Sequence, residues 1–158
     1  MADGVGPECA EFSKAELQAA LKAGKKKGAE GPDEIAPLFL RNLGEAGQDF
    51  ILSCFNQSWR EGVCPQFWRD ACIVPLLKPG KSAGELVSYR PIALTSCLGK
   101  VMERMVSTRL QHLAELRGWL CQEQSGFWPQ RSTEDQILRL SQAVSDGFQQ
   151  SPPLRTVL

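Results

Sequence analysis

An Arg-Pro pair stands inside a stretch that otherwise fits a buried strand turning into a helix, VSYRPIALTSCLGKVMERM at residues 87–105. Proline has no backbone donor and pushes the preceding residue into an extended conformation, so Pro91 favours a strand start or a sheet edge. Arg90 then projects five donors and a permanent charge from a restricted backbone. Taken alone, this arginine fits a solvated edge residue equally well.

A second β-prone run, at residues 72–77, ends abruptly in the sequence Lys-Pro-Gly-Lys. We therefore expect an antiparallel hairpin over residues 72–94, with a mobile, glycine-containing tip. Lys78 leaves the first strand and Arg90 enters the second, so both cations would project from one end of the ribbon. In that arrangement, the two-pronged guanidinium of Arg90 and the mobile ammonium of Lys78 could close over a polyphosphate. Many surface hairpins carry charges, however, and the pattern also fits ordinary solvated surface.

Helical signals surround this hairpin. Capping boxes at Ser13 and Ser132 predict two helix starts, and Asp33 is positioned to cap the helix that follows it. Gly62 is expected to end a third helix, and a long helix should run from about residue 97 to residue 117. With LRTVL at residues 154–158 as a final strand, the predicted fold class is α+β: three N-terminal helices, one hairpin, two long helices and a terminal strand.

The apolar stripes on these helices are interpreted as core-packing faces, without chemical function. On the last helix the stripe consists of Ile137, Leu140, Val144 and Phe148.

Composition restricts the partners that this chain can have. Among 158 residues, 18 Lys and Arg balance 18 Asp and Glu, so a nucleic-acid site must be a local patch. The chain has six cysteines, none of them in a C-x-x-C pair, and a single histidine, which is a poor ligand set for zinc. We therefore expect buried, reduced thiols in an intracellular protein. The chain lacks an 18-residue apolar run and a signal-peptide pattern, so we expect no membrane contact. A nuclear or cytoplasmic location remains open.

Four motifs occur in order: GPDEI, IVPLLKPGK, SYRPIALTSCLGKVMERM and SGFWPQRSTEDQI. Together they resemble the front part of a non-LTR retrotransposon reverse transcriptase. The resemblance implies that residues 25–158 form a partial reverse transcriptase domain, a helix-rich fingers subdomain with the start of the palm, and that residues 1–24 form a helix leading in. It also implies that Lys78 and Arg90 bind the triphosphate of the incoming nucleotide.

The resemblance further implies contacts with an RNA template or an RNA/DNA hybrid. The candidate residues are Lys25, Lys26, Lys27, Lys81, Lys100, Trp128 and Arg131. Family members usually carry a basic residue after the Phe of the Gly-Phe pattern; here Trp128 stands instead, and its indole could stack on a base. The three consecutive lysines also fit a solvated, basic helix C-terminus. Further partners would be a dNTP and either the missing palm or a ribonucleoprotein.

Polymerases of this class hold two metal ions with aspartates from two palm motifs. None of the aspartates in this chain has a matching context, and the sequence stops where the first motif would begin. We therefore expect no cofactor in this chain, Mg²⁺ only in a full-length enzyme, and no polymerase activity from the chain alone. One interpretation is a truncated RNA-directed DNA polymerase that binds RNA template and nucleotide triphosphate. Alternatives are a retroelement-derived RNA-binding or structural subunit of a ribonucleoprotein, or an unrelated helical interaction protein.

Overall fold

The computed structural model describes residues 9–24, 28–121, 124–126, 128 and 131–149. This part of the chain mixes helices with one two-stranded antiparallel sheet, as expected for an α+β protein. The helices are α1 (Lys14–Ala23), α2 (Pro37–Arg41), α3 (Glu45–Glu61), α4 (Gln66–Arg69), α5 (Cys97–Leu116) and α6 (Thr133–Gln149). The strands are β1 (Ala71–Leu77) and β2 (Tyr89–Thr95), preceded by a 3₁₀ turn at Leu86–Ser88. The predicted strand at residues 154–158 lies outside the described residues.

Local end signals in the sequence account for several element boundaries. The Ser13 hydroxyl accepts the Glu16 amide at 3.3 Å, and the Glu16 carboxylate accepts the Ser13 amide at 2.8 Å. The same reciprocal pair joins Ser132 and Asp135, at 3.1 and 3.2 Å. Gly62 ends α3 with φ of 65°, a left-handed conformation that suits glycine. Both predicted capping boxes and the predicted glycine stop are confirmed.

The predicted cap by Asp33 on the next helix is wrong. Ala36 is the N-cap of α2, and no side chain caps that helix. The Asp33 carboxylate instead accepts the amide of Cys97, the first residue of α5, at 2.8 Å. A partner 64 positions along the chain leaves no local pattern that sequence inspection can find.

The chain divides into two compact units, one ending at Leu113 and the other beginning at Ala114. In the first unit, the core gathers side chains from α1 to α5 and from the segment before α1. Asn56 on α3 holds that segment, because its amide accepts the Phe12 amide at 2.7 Å and donates to the Phe12 carbonyl at 3.0 Å. The buried apolar residues are Phe12, Leu17, Ala20, Leu21, Leu40, Phe55, Trp68, Cys97, Val101, Met102 and Met105.

In the second unit, the predicted burial of the α6 stripe is wrong. Ile137 is 62% exposed and Phe148 is 67% exposed, whereas Gly147 is the buried residue of this helix. Periodicity marks the face that prefers burial, but burial also requires an element that packs on this face. The described part of the second unit supplies no such element over the stripe.

Most of the cysteines are also more exposed than predicted. Cys97 is buried and Cys54 is half-buried, whereas Cys9, Cys64, Cys72 and Cys121 are exposed. Cys72 shows the reason: it lies on β1, where no residue is buried. An apolar neighbourhood in the sequence therefore did not become an interior position in the fold.

The predicted hairpin is confirmed, and its two prolines stand opposite each other in the register. Lys78 donates its amide to the Ser88 carbonyl at 2.8 Å, so this pair is hydrogen-bonded. Hydrogen-bonded and open pairs alternate along an antiparallel ladder, which places Pro75 and Pro91 at an open pair with their nitrogens on the outer edges. The ladder thus loses no hydrogen bond, and each outer edge lacks one donor that a further strand would use.

Candidate nucleotide and nucleic-acid site

The hairpin register determines which face carries each candidate cation. Arg90 lies opposite Leu76, so these two side chains share one face of the ribbon. Lys78 follows Leu76 by two residues, and alternation returns it to the same face. Lys78 and Arg90 are therefore diagonal neighbours at the tip end of the hairpin, a relation that typically separates Cα atoms by about 7–8 Å.

The two cations differ in how they are held. Lys78 is half-buried as a residue, and its ammonium donates to the Val87 carbonyl at 2.7 Å. Arg90 is exposed, and it forms no ion pair with any residue in the described part of the chain. The site thus combines a lysine anchored on a neutral acceptor with an arginine fork that faces solvent.

Hydrogen bonds also tie down the tip of the hairpin. The Lys81 amide donates to the Lys78 carbonyl at 3.2 Å, and Gly80 between them has φ of 73°. Pro79 followed by a glycine with positive φ is the sequence preference of a type II turn. The Tyr89 hydroxyl then reaches the Ala83 carbonyl at 3.1 Å. Lys81, which is exposed, is consequently held close to Lys78.

The other predicted nucleic-acid residues lie elsewhere. Lys100 is half-buried at the base of the hairpin, where its ammonium donates to the Thr95 carbonyl at 2.9 Å. Trp128 and Arg131 belong to the second unit, in which the Arg131 guanidinium donates to the Gln124 carbonyl at 2.8 Å. The predicted residues Lys25, Lys26 and Lys27 lie outside the described residues. The structure therefore brings together Lys78, Lys81 and Arg90, and places Lys100 at the opposite end of β2.

The donor chemistry of the chain bears on the magnesium that polymerases of this class use. Among the described residues, no three His, Cys, Asp or Glu side chains come close enough to hold a metal ion. These residues thus do not fit a resident magnesium site.

Within the same part of the chain, no helix combines the length and the apolar composition needed to cross a bilayer.

Comparison with known proteins adds independent information. The chain is 32% identical over 133 residues to the probable RNA-directed DNA polymerase from transposon BS of Drosophila melanogaster, which covers 84% of this chain. It is 32% identical over 114 residues, 72% of the chain, to the RNA-directed DNA polymerase from mobile element jockey of the same species. A third relative, the probable RNA-directed DNA polymerase from transposon X-element, is 29% identical over 137 residues. No protein-family model matches the chain.

This chain is a homologue of the non-LTR retrotransposon reverse transcriptases. The predicted family resemblance is thereby confirmed. The chain spans 15% of the length of the transposon BS relative and 12% of the jockey relative. It therefore corresponds to a segment of these reverse transcriptases.

Proposed function

We propose that this chain supplies the fingers part of a non-LTR retrotransposon reverse transcriptase, with residues 25–158 belonging to a partial polymerase domain. In this role the hairpin binds the triphosphate of an incoming deoxynucleotide, and the basic residues contact an RNA template. Homology to RNA-directed DNA polymerases supports the reaction class. The hairpin geometry supports the location of the nucleotide contact.

The shared face of Lys78 and Arg90 carries this proposal. Phosphate oxygens accept two parallel hydrogen bonds from a guanidinium, whereas an ammonium acts as a movable point charge. Arg90 has no ion pair to break within the described residues, and Lys78 would exchange one neutral carbonyl for a charged oxygen. The paired strands hold the Arg90 backbone extended before binding, which lowers the ordering cost.

The proposed role is confined to binding and orientation. Phosphoryl transfer in polymerases depends on metal ions that activate the attacking hydroxyl and stabilise the leaving group. The described residues offer no such carboxylate cluster, so no chemical step is assigned to them.

Replacing both Lys78 and Arg90 by Ala should weaken binding of inorganic tripolyphosphate to the 158-residue chain by about tenfold or more. Charge-assisted hydrogen bonds contribute about 1.5–3 kcal/mol each, and 1.4 kcal/mol corresponds to a factor of ten. Isothermal titration calorimetry with tripolyphosphate, and then with a deoxynucleoside triphosphate, measures the change.

The matched control removes the same charge from exposed positions of the same unit outside the hairpin, by Lys22→Ala combined with Arg60→Ala. This variant should bind tripolyphosphate within about twofold of the wild type, because exposed charges that do not touch the ligand are screened by salt. Equal losses in both double variants would show that binding follows bulk charge. Absence of binding by the wild-type chain would overturn the triphosphate assignment.

Replacing Lys25, Lys26 and Lys27 by Ala should lower the salt dependence of RNA binding. Each phosphate contact that is lost reduces the slope of log K against log salt by about 0.7–0.9, so the triple variant should lose about two units. Fluorescence anisotropy with a labelled single-stranded RNA at several salt concentrations gives the slope. The double variant at Lys78 and Arg90 should weaken RNA binding less than it weakens tripolyphosphate binding. An unchanged slope would show that the three lysines make no phosphate contact and are ordinary solvated residues.

A further inference from the structure

The hairpin carries its cations on a ribbon that few other elements support. No residue of β1 or β2 is buried, and each strand pairs with the other alone in the described part of the chain. Side-chain packing along the strands therefore does little to determine how the ribbon is oriented. Its orientation must come from contacts at the base, where Thr95 leads into α5.

One contact at this base is made directly by backbone. The GPD turn (residues 31–33) approaches the end of β2 so closely that a Cβ on Gly31 would stand 2.3 Å from the Thr95 carbonyl oxygen. The same Cβ would lie 2.9 Å from the Ser96 amide nitrogen. Only a residue without a side chain allows this contact, so Gly31 fits the GPD turn against the strand end.

The carboxylate of Asp33 makes the second contact. Its Oδ2 atom accepts the Ser96 hydroxyl at 2.7 Å and the Cys97 amide at 2.8 Å. Ser96, which is fully buried, in turn accepts the Gly99 amide at 3.1 Å. Burial alone would raise the pKa of Asp33, but the hydrogen bonds from Ser96 and from the amides of Ile35, Leu98 and Cys97 together hold that pKa below its ordinary value.

The GPD turn also has a defined shape of its own. Its first carbonyl, on Gly31, accepts the Glu34 amide at 3.0 Å, and Asp33 accepts the Ile35 amide at 3.4 Å. Glu34 has φ of 52°, a left-handed conformation that costs a non-glycine residue about 1–2 kcal/mol. Such a conformation persists where its surroundings enforce it, which indicates a stiff turn.

We infer that the GPD turn is the positioning element that sets the angle of the hairpin on α5, with Asp33 as its positioning residue. Seven extended residues span about 23 Å, so a rotation of about 10° at the base displaces the tip by roughly 4 Å. That displacement exceeds the tolerance of a hydrogen bond to phosphate. The consequence for nucleotide binding rests on the proposed function, whereas the angle itself is a property of the hairpin alone.

Distance measurements between two spin labels test the inference. One label is placed at the tip through Ser82→Cys, and the other on α3 through Ser53→Cys, both at exposed positions. The background replaces the exposed residues Cys9, Cys64, Cys72 and Cys121 by Ser. Asp33→Ala should shift or broaden the distance distribution by about 3 Å or more relative to the unsubstituted turn.

Arg104→Ala is the matched control, because it removes a hydrogen bond of 2.7 Å to the Ala20 carbonyl on α1 without touching the hairpin. This control should lower stability and leave the distance distribution unchanged. If Asp33→Ala does not fold, Asp33→Leu provides the variant, since it keeps a branched side chain and removes the oxygen that accepts from Ser96 and Cys97. A folded Asp33 variant with the wild-type distribution would overturn the inference, as would an equal shift in the control.

Tripolyphosphate titration of the same variants separates the inference from the proposed function. A shifted distribution in Asp33→Ala together with no binding by the wild-type chain would retain the positioning role and reject the triphosphate site. A shifted distribution with weakened binding supports both. Weakened binding with an unchanged distribution would contradict positioning by Asp33.

Discussion

The Arg109→Ala variant is expected to lose about 3 kcal/mol of folding free energy and to unfold about 6–12 °C below the wild type. Arg109 on α5 binds Glu16 through two hydrogen bonds, of 2.7 and 3.0 Å, and donates to the Glu11 carbonyl at 2.9 Å. Its guanidinium also lies 4.0 Å from the centre of the Phe12 ring. One side chain thus joins α5, α1 and the segment before α1, and thermal and urea denaturation followed by circular dichroism measure its contribution.

Arg60→Ala provides the control for this prediction. Arg60 forms an ion pair with Glu11 at 3.0 Å, but its side chain is 64% exposed, compared with 16% for Arg109. Exposed ion pairs contribute about 0–1 kcal/mol, so this variant should unfold within a few degrees of the wild type. Similar losses in the two variants would show that Arg109 behaves as a surface residue.

The Arg109 contact also makes stability depend on pH. Hydrogen bonds from the Arg109 guanidinium are the largest cause that lowers the pKa of Glu16, from 4.5 to about 2. The folded state therefore favours the ionised carboxylate, and this contribution is fully present above about pH 4.5. It declines as the pH falls from about 4.5 through about 2. Arg109→Ala should flatten the decline of the melting temperature across that window.

Gly31→Ala should destabilise the chain by about 3 kcal/mol, because the added methyl group meets backbone atoms that cannot rotate away. The methyl carbon would lie 2.3 Å from the Thr95 oxygen and 2.6 Å from its carbonyl carbon. Relief requires that the GPD turn and the strand end separate, which would also disturb the Asp33 hydrogen bonds. Urea denaturation gives the free energy of unfolding, and amide hydrogen exchange along β2 reports local opening.

Gly44→Ala is the matched control, since a Cβ at Gly44 would meet nothing within 4 Å and its extended backbone, with φ of −66° and ψ of 169°, suits any residue. Its effect should stay within about 1 kcal/mol, the usual range for a small change at an N-cap. A Gly31 variant as stable as the Gly44 variant would mean that the two segments are not pressed together in solution.

Elements determined by neighbouring residues were predictable from the sequence. The capping boxes at Ser13 and Ser132 and the stop at Gly62 depend on atoms within one or two helical turns. The hairpin follows in the same way from two β-prone runs around Pro79 and Gly80. Short-range sterics and hydrogen bonding decide such features, so the residues themselves contain the necessary information.

The candidate site was predictable in part. Because Lys78 ends the first strand and Arg90 begins the second, the sequence predicts that they lie at the same end of the ribbon. Their common face depends on the register, since a slip of one residue would move one of the two side chains to the other face of the sheet. The bond from Lys78 to the Val87 carbonyl and the anchoring of Lys100 at the hairpin base depend on atoms that only the folded chain brings close.

By itself, the sequence determined most element types, the α+β class and the family to which this chain is related, although it predicted three N-terminal helices and missed the short helix α4. The tertiary structure decided which signals act at a distance: Asp33 caps α5 rather than α2, and Arg109 joins α5 to α1. It also decided that the α6 stripe and most cysteines stay accessible. The physical reason is that capping and turn formation need neighbours in sequence, whereas burial and long-range hydrogen bonds need neighbours in space, which exist only after the chain has folded.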